Sequence, residues 1–571
     1  MNNYDLSTLD LFFVQPSGEN WRGEIHKQGK IHGIDMSEST SDGYELALIA
    51  EVCNQNGIRS DYFIHRPDVV TAECMRELAE FVLTKNPKIV AIEAMSCYSN
   101  NVISLSKEIK KLNRDIVIIS GGYHPSGYPE MLFDADGNID YLVLGPGELV
   151  TMKLAKEILS GKNKDEIFST RKRYDIPKGR FDGTYSEEVY LEFDKLVDEA
   201  AIAYLDNGVI KLLKRESEDM FKNIDEAPIP RRNPEIHKKV VCGRLALPLP
   251  HEQVTATLQI TKGCPSACSY CQSANIYGRA GSKLVCDTSF SGRTKSVGNV
   301  VKELEYLTTL GVNCIFLTDL TTNLSGDYLK ELSEAIVDYK NQGRINPKLT
   351  FYCMFRPHTE AQQKPLGLDY GIYDYMKRMG VIRIGFGIEF LIDKKLDDFN
   401  RSYKTTDVYK HLKAAGDAGI FTRGLSMYGT PDDKIELYSE YPDRMKTMPV
   451  DVWRMGAVTP YLGTKYGNCE FRKIYKDLEL PRAFDNFNSS TLILFPEGQN
   501  ITEQEMLKIK KDILKKVYSS EEWQIRMFEK GERYPELKIA INYFIDRLVE
   551  QNFLDKKPTM FCYSNIPQSY I

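Results

Sequence analysis

The chain has 571 residues, more than a single hydrophobic core accommodates, and its 42% hydrophobic and 27% charged residues are typical of a globular protein. The net charge of −6 argues against a general binder of nucleic acid or of anionic membranes. No apolar run reaches the roughly 18–20 residues of a membrane-spanning helix, and no secretory signal is visible at the N-terminus.

The first 160 residues alternate between apolar runs and amphipathic patterns. Strands are predicted at 9–14, 89–92, 116–119 and 141–144, and helices at 43–56, 102–112 and 148–160. Near-continuous apolar strands separated by helices indicate a parallel sheet covered on both faces, so we expect a doubly wound, flavodoxin-like domain. The turns Gly121-Gly122-Tyr123-His124-Pro125 and Gly145-Pro146-Gly147-Glu148 follow the last two strands, at the sheet edge where ligands bind.

Residues 161–250 are predicted to be a linker with short strands. Charged and aromatic residues alternate at 185–193 and again at 209–215, which favours short antiparallel strands. The proline-containing stretch 226–232 is predicted to be an extended connector.

A second alternating series occupies residues 251–480. It predicts a partial (β/α)6 TIM-like barrel, in which functional residues lie at the carboxyl ends of the strands. The predicted strands are 255–261, 314–318, 349–355, 383–389, 422–428 and 452–459. Residues 481–571 are predicted to be a small, mainly helical region, with helices at 501–517, 521–529 and 537–551 that we expect to cap the mouth of the barrel.

Three cysteines, Cys264, Cys268 and Cys271, directly follow the first strand of this series, at the spacing Cys-x3-Cys-x2-Cys. Three thiolates on one loop can hold three irons of a 4Fe–4S cluster and leave the fourth iron open to another ligand. A structural zinc site needs a fourth ligand, and the nearest spare cysteine, Cys286, lacks a second Cys-x2-Cys knuckle. Most other cysteines are isolated, which predicts a reducing, cytoplasmic environment rather than a disulfide framework.

This cysteine loop resembles the signature of the radical S-adenosylmethionine (SAM) superfamily. The resemblance implies that SAM chelates the open iron and that an electron from the cluster cleaves SAM to a 5′-deoxyadenosyl radical. It also implies cofactor contacts around the barrel strand ends, for which the candidate residues are Tyr270, Asp319, Arg356, Glu389, Arg423 and Gly429. Among these, Arg356 and Arg423 are candidates for pairing either with the carboxylate of SAM or with Glu389.

The N-terminal domain, here residues 1–160, resembles the cobalamin-binding domain that precedes the barrel in one branch of this superfamily. The matching turns contain the candidate cobalamin-binding residues Gly121, Gly122, His124, Gly145, Gly147 and Glu148. The turn after the first strand, residues 15–20, lacks the histidine that ligates cobalt in many other cobalamin domains, which argues against a cobalt-ligating histidine from this loop. His124 either approaches the corrin or caps backbone groups of its turn, and a flavodoxin-like domain without cofactor is the alternative for the whole domain.

Together these resemblances imply a cobalamin-dependent radical SAM enzyme with a 4Fe–4S cluster, SAM and cobalamin. The implied reaction is methylation of an unactivated carbon or a phosphorus centre of a small molecule or peptide, with an electron donor such as flavodoxin or ferredoxin. No nucleic-acid or membrane partner is expected. The alternatives are a radical enzyme that uses cobalamin without methyl transfer, for rearrangement, ring contraction or cyclisation, and a non-catalytic iron–sulfur sensor.

Overall fold

The computed structural model describes residues 8–16, 42–65, 72–133, 138–177, 180–181, 184–232, 254–264, 266, 268–273, 293–478, 484, 486–487, 492–496 and 501–562. Residues 17–20 of the turn discussed above, and Cys286, lie outside these ranges. Within them, no helix has the length and apolar character needed to cross a membrane.

The first sheet has eight described strands: β1 (Leu11–Gln15), β2 (Ser60–Ile64), β3 (Ile89–Glu93), β4 (Val117–Gly121), β5 (Tyr141–Val143), β6 (Arg173–Ile176), β7 (Ala200–Asp206) and β8 (Val209–Lys214). Their order is β2-β1-β3-β4-β5-β7-β8-β6, and β1 to β5 run parallel. The order 2-1-3-4-5 is that of a flavodoxin-like, doubly wound sheet. The predicted fold of the N-terminal domain is therefore confirmed.

Helices cover this sheet on both faces: α1 (Tyr44–Gln55), α2 (Ala72–Leu83), α3 (Ser99–Leu112), α4 (Tyr123–Gly127), α5 (Pro129–Leu132), α6 (Glu148–Leu159) and α7 (Glu187–Glu199). They divide the apolar core into two clusters, one containing the buried side of α1 and α6 and the other the buried side of α2 and α3.

The region expected to be a linker contributes to the first sheet. Strands β7, β8 and β6 pair antiparallel and extend the sheet beyond β5, and the strand predicted at 209–215 is confirmed as β8. The strand predicted at 185–193 is wrong, because this stretch begins α7. Ser186 precedes the helix and two glutamates occupy its first turn, while Tyr190 and Val197 share its buried face.

The second sheet has six parallel strands in chain order: β9 (Thr255–Leu258), β10 (Cys314–Leu317), β11 (Thr350–Phe355), β12 (Val381–Glu389), β13 (Phe421–Tyr428) and β14 (Val452–Ala457). Each corresponds to a predicted strand. Parallel strands connected by helices place all six carboxyl ends at one edge, which we call the carboxyl edge.

Helices also alternate with these strands: α8 (Val297–Thr309), α9 (Gly326–Asn341), α10 (Glu360–Gln363), α11 (Ile372–Met379), α12 (Asp393–Asp398), α13 (Thr405–Asp417), α14 (Tyr441–Thr447) and α15 (Lys465–Ile474). The apolar faces of the helices from α8 to α14 pack on one face of the sheet; Phe386 of β12, for example, lies against Tyr373 of α11 with ring centroids 6.2 Å apart. We call the opposite face of the sheet its inner face. Phe471 of α15 packs instead against Phe181, with ring centroids 5.3 Å apart.

The C-terminal helices are α16 (Glu503–Tyr518), α17 (Glu521–Arg533), α18 (Pro535–Glu550) and α19 (Thr559–Cys562). The Tyr518 hydroxyl accepts a hydrogen bond from the Trp453 N–H at 2.9 Å, and Lys530 Nζ donates to the Ile420 carbonyl at 2.8 Å. These contacts place α17 and the C-terminal end of α16 at the beginnings of β13 and β14, away from the barrel mouth that the helices were expected to cap. The earlier part of α16 does approach the mouth, where Lys510 Nζ lies 5.5 Å from the Tyr428 ring at the end of β13. The segments around Phe487 and Leu492 also reach the carboxyl edge: the Phe487 carbonyl accepts a hydrogen bond from the Tyr461 hydroxyl at 3.3 Å, and Leu492 packs against Gly429.

Candidate active site

The cysteine loop leaves β9 at the carboxyl edge and is held there by Asp319. This carboxylate accepts hydrogen bonds from the backbone N–H groups of Ile260 and Thr261, at 2.8 and 2.7 Å. Burial raises the pKa of Asp319 to about 7, although the two N–H groups oppose the shift. The contact of Asp319 with SAM stays a prediction; in the structure its carboxylate fixes Ile260 and Thr261, which directly precede Lys262.

Cys268 is buried, whereas Cys264 and Cys271 are partly exposed. Nη1 of Arg401 lies 2.9 Å from Cys268 Sγ and donates to it. No set of three or more His, Cys, Asp or Glu side chains converges on one metal ion in the described ranges. A 4Fe–4S cube takes one thiolate for each of three irons, so its ligands surround the cube and need no such convergence. The donor set and the adjacent cation therefore fit a cluster with one open iron.

Arg401 also connects the loop to Glu389, the last residue of β12. Its Nη2 atom lies 3.3 Å from Glu389 Oε1, and its Nε donates to the Tyr403 hydroxyl at 2.8 Å. Glu389 has a φ of +64°, a backbone conformation that is strained for a residue other than glycine, and the β12–β13 register shifts beside it. Such strain is concentrated at functional sites, and here it directs the Glu389 carboxylate towards the cysteine loop.

Tyr270 lies between the second and third cysteines and packs edge-on against Phe399, with ring centroids 5.7 Å apart. Two backbone hydrogen bonds hold this part of the loop, from Ser269 N–H to the Phe399 carbonyl and from Tyr466 N–H to the Ser269 carbonyl. Tyr270 remains partly exposed, so one side of its ring is available to a ligand beside the cluster.

The two arginine candidates have different positions. Arg356 lies near the loop, where its Nη2 donates to Ser402 Oγ at 2.5 Å and burial together with Arg401 lowers its pKa. Arg423 lies five residues before the end of β13, deep on the inner face. Neither pairs with Glu389 in the part of the chain described; Arg401, which the sequence did not single out, forms that ion pair.

Gly429 forms a turn that is closed by protein atoms. It has a φ of +85°, and its N–H donates to Asp433 Oδ2 and to the Tyr438 hydroxyl. A Cβ atom at this position would lie 2.3 Å from Leu492 Cδ1. The glycine is required by this turn and by the packing of Leu492.

The glycine turns of the N-terminal domain contact the cysteine loop directly. Gln272 Nε2 donates to the Tyr123 carbonyl at 2.8 Å, and the Tyr123 hydroxyl lies 3.0 Å from Ser273 Oγ. Glu148 forms an ion pair with Lys262; burial raises the pKa of Glu148, but Lys262 outweighs this effect and the pKa lies below its ordinary value. Both turns therefore border the space beside the predicted cluster.

Two of the four candidate glycines are required by close protein contacts. Gly122 has a φ of +115°, and a Cβ there would lie 2.7 Å from the Ala94 carbonyl oxygen. A Cβ at Gly145 would lie 2.9 Å from Nη2 of Arg215. Gly121 and Gly147, like these two, are partly exposed, so the backbone of both turns is open to a ligand.

His124 is buried in the packing behind its turn. Its Nδ1 lies 3.1 Å from Ser96 Oγ, and its ring packs edge-on against Phe484 at 4.7 Å. Burial lowers its pKa to about 3, so the imidazole is neutral. Its hydrogen bond is to a side chain, so the expected capping of turn backbone is not what the structure shows.

A polar group that the sequence analysis missed lies at the switch point of the first sheet. β1 and β3 are neighbours whose connections leave in opposite directions, and Gln15 at the end of β1 donates to Glu93 at the end of β3 at 2.6 Å. Burial and the nearby carboxylate of Glu45 raise the pKa of Glu93 to about 8. The sequence signal that could have identified this polar group is the position of both residues at strand ends.

Two family models match this chain. A model of the radical SAM superfamily matches residues 258–440, and a model of the B12 binding domain matches residues 37–155. Among curated proteins, tryptophan 2-C-methyltransferase of Streptomyces laurentii is 22% identical over 77% of this chain and 72% of its own length.

Solved structures share the fold. The radical SAM methyltransferase TsrM of Kitasatospora setae, solved with cobalamin and a [4Fe–4S] cluster, aligns with a TM-score of 0.56 and 16% identity over 81% of this chain and 77% of its own. The cobalamin-dependent SAM radical enzyme OxsB, solved with aqua-cobalamin, aligns with a TM-score of 0.60 and 12% identity over 98% of this chain and 82% of its own.

The radical SAM match begins in β9 and includes the cysteine loop, and the B12 match includes both glycine turns. The residues at these sites also fit the cofactors that the two models imply. The chain therefore contains a radical SAM domain and a B12-binding domain, which makes it an enzyme that uses a 4Fe–4S cluster, SAM and cobalamin.

Proposed function

We propose that this enzyme transfers a methyl group to an unactivated carbon, or to a phosphorus centre, of a small molecule or peptide. The observation that carries the proposal is the direct contact between the turn of Tyr123 and the loop of Gln272 and Ser273. Because this contact joins the two candidate cofactor sites, a methyl carrier and a radical source can act on one substrate. Relatives named as methyltransferases support the same reaction.

When bound, the cluster and SAM supply abstraction of a hydrogen atom, and cobalamin supplies the methyl group. The residues of this chain position these groups. Arg401 places a positive charge at Cys268, Glu389 presents a carboxylate beside the open side of the loop, and Tyr270 offers an aromatic surface. Asp319 fixes the chain that leads into the loop, and Lys262 ties the loop to Glu148 of the first domain.

Candidate substrates incubated with the reconstituted enzyme, SAM and a reductant test the proposal. We expect a product heavier by one CH2 unit, together with S-adenosylhomocysteine. A product of unchanged composition with 5′-deoxyadenosine would contradict methyl transfer and favour rearrangement or cyclisation. A retained cluster without cleavage of SAM would favour a sensor.

Replacement of Cys264, Cys268 and Cys271 by Ala supplies the control for the cluster. We expect loss of the iron–sulfur absorbance and of 5′-deoxyadenosine, because no thiolates remain to hold the irons. Cobalamin retention should be largely unchanged, since its candidate site lies on the first domain. Loss of cobalamin in this variant would contradict two separable sites.

We further propose a cytoplasmic location and a flavodoxin or ferredoxin as electron donor. Cys53 and Cys353 are buried thiols outside any disulfide, which suits a reducing compartment. Reduction of the purified cluster by flavodoxin or by ferredoxin, followed by electron paramagnetic resonance, tests the choice of donor.

A further inference from the structure

Two arginines are buried on the inner face of the second sheet without an acidic partner. Arg383 of β12 is 0% exposed and Arg423 of β13 is 4% exposed. In the described ranges, none of the three guanidinium nitrogens of Arg383 has a hydrogen-bond partner, and neither has Nε of Arg423. Burying an unpaired charge is strongly unfavourable, so this arrangement requires an explanation.

The register of the strands places both side chains on the inner face. Side chains alternate along a strand, and Phe386 points outward to helix α11, so Arg383 and Gly385 point inward. Gly385 pairs with Arg423, which therefore shares this face. The same alternation places Tyr352 of β11, the partner of Arg383, beside it.

Tyr352 completes a layer that we call the floor, defined as Tyr352, Arg383 and Arg423. The Tyr352 ring lies between the Phe316 ring, with centroids 4.8 Å apart, and the Arg383 guanidinium, 4.1 Å from its centroid. Burial raises the pKa of Tyr352, but Arg423 and Arg383 outweigh it and the pKa lies below its ordinary value. The electrostatic potential of the floor therefore favours an anion.

The inner face between the floor and the carboxyl edge is apolar and accessible. Phe316 and Met354 lie beside the floor, in register with Tyr352 and Gly385, and Leu425 and Met427 lie nearer the carboxyl edge. All four are partly exposed, whereas the outward-pointing residues between them are mostly buried. Arg454 pairs with Leu425 and adds another guanidinium to this face. A ligand that enters from the cysteine loop meets Met427 first, then Leu425 and Arg454, and last the guanidinium groups of the floor.

We infer that the floor binds the anionic end, a carboxylate or phosphate, of the substrate, whose apolar body lies along the inner face. An anion would compensate the two buried guanidinium groups with charge-assisted hydrogen bonds. The assignment rests on the proposed function, because the substrate's other end must reach the cysteine loop. Arg423 and Tyr428, at the end of β13, are separated by about 17 Å of strand, so the substrate is elongated.

Octanoate is a suitable probe because it combines an apolar chain with one carboxylate, and 1-octanol is its neutral match. In the full chain reconstituted with cluster and cobalamin, octanoate should raise Tm in a saturable manner, and 1-octanol should not. The apparent Kd for octanoate should become about tenfold or more weaker in Arg383→Met and in Arg423→Met. Arg547→Met, which changes a surface arginine on α18, should leave it unchanged.

An equal response to octanoate and 1-octanol would overturn the proposal, and so would unchanged octanoate binding in the Met variants. Arg423→Gln serves the same comparison where a Met variant does not fold. A phenolate signal in the near-ultraviolet difference spectrum between the wild type and Tyr352→Phe at neutral pH would also overturn it, because Tyr352 would then supply the anion. These measurements report only the binding of octanoate. A failure of this proposal can therefore be told apart from a failure of the proposed methyl transfer.

Discussion

Arg401 contacts Cys268, a predicted ligand of the cluster, although 133 residues separate the two positions. Hydrogen bonds to cluster sulfurs and nearby positive charge stabilise the reduced, more negative cluster. We expect Arg401→Met to lower the reduction potential of the cluster by about 60 mV or more, the one-electron equivalent of a tenfold change in equilibrium constant. Electron paramagnetic resonance during a redox titration measures the shift.

Arg401→Lys is the matched control for this prediction. A lysine keeps the positive charge but not the guanidinium that contacts both Cys268 and Glu389. Its potential should lie between those of the wild type and the Met variant. Equal potentials in all three proteins would show that Arg401 does not act on the cluster.

The raised pKa of Glu93 predicts that the stability of the folded protein depends on pH. Its pKa in the folded protein is raised to about 8 by burial and by Glu45, so the folded state holds a proton that the unfolded state releases near its ordinary value. The contribution of Glu93 to the free energy of unfolding is fully present at low pH. It is lost as pH rises towards 8, at no more than about 1.4 kcal/mol per pH unit.

Urea unfolding of the wild type and Glu93→Gln at several pH values isolates this contribution. The Gln variant keeps a neutral hydrogen-bonding side chain beside Gln15. Its free energy of unfolding should therefore fall less than that of the wild type between pH 5 and pH 8, and the two slopes should differ by no more than about 1.4 kcal/mol per pH unit. Parallel pH profiles for the two proteins would contradict the raised pKa.

At the scale of elements, the predictions succeeded where the sequence pattern of a stretch fitted only one type of secondary structure. Buried parallel strands form apolar runs, and the six strands of the second sheet were all found by this signal. β2 was missed because Ser60 and Asp61 interrupt the apolar pattern of a strand at the edge of the sheet. The start of α7 was misread because Tyr185 to Phe193 has a period of two locally, while the helical period emerges only with Val197.

The position of the C-terminal helices could not be read from their sequence, because an amphipathic helix does not reveal which surface it covers. Trp523 is fully buried, and its Nε1 donates to the Asp451 carbonyl at 3.2 Å, at the beginning of β14. Trp523→Ala should therefore lower the free energy of unfolding by about 3–5 kcal/mol. SAM affinity of the folded variant, measured by calorimetry, should be unchanged.

Ile525→Ala is the control on the same helix, because Ile525 is 40% exposed. Its stability should change by no more than about 0.5 kcal/mol. Weaker SAM binding in Trp523→Ala without a loss of stability would indicate instead that this helix acts on the carboxyl edge.

At the scale of the whole molecule, the cysteine loop and the two glycine turns were identified from sequence, but their contact was not. The contact between the cysteine loop and the glycine turns depends on residues that belong to no recognisable sequence motif. Gly127, for example, lies so close to the second domain that a Cβ would be 2.3 Å from the Leu462 carbonyl oxygen. Such contacts join residues more than 300 positions apart in the chain, and a single sequence contains no periodicity that reports them.

A buried ionic network fixes the two sheets at a second point. Arg232, in the connector, donates to the Thr257 carbonyl at 2.7 Å and to Glu303 at 3.2 Å, and its Nε lies 3.5 Å from Asp42. Asp42 in turn accepts a hydrogen bond from the backbone N–H of Thr257 at 3.2 Å. The connector thus ties the segment before α1 to the first strand of the second sheet.

Arg232→Met should lower the free energy of unfolding by about 3–5 kcal/mol, because it leaves the carboxylates of Asp42 and Glu303 buried without this cation. Adding Asp42→Asn to this variant should cost less than Asp42→Asn costs in the wild type, since it removes a carboxylate that has lost the Arg232 cation. Urea unfolding of the four proteins measures this coupling. Additive losses would mean that Arg232 and Asp42 stabilise the joint independently, and that the two domains are not held together by one network.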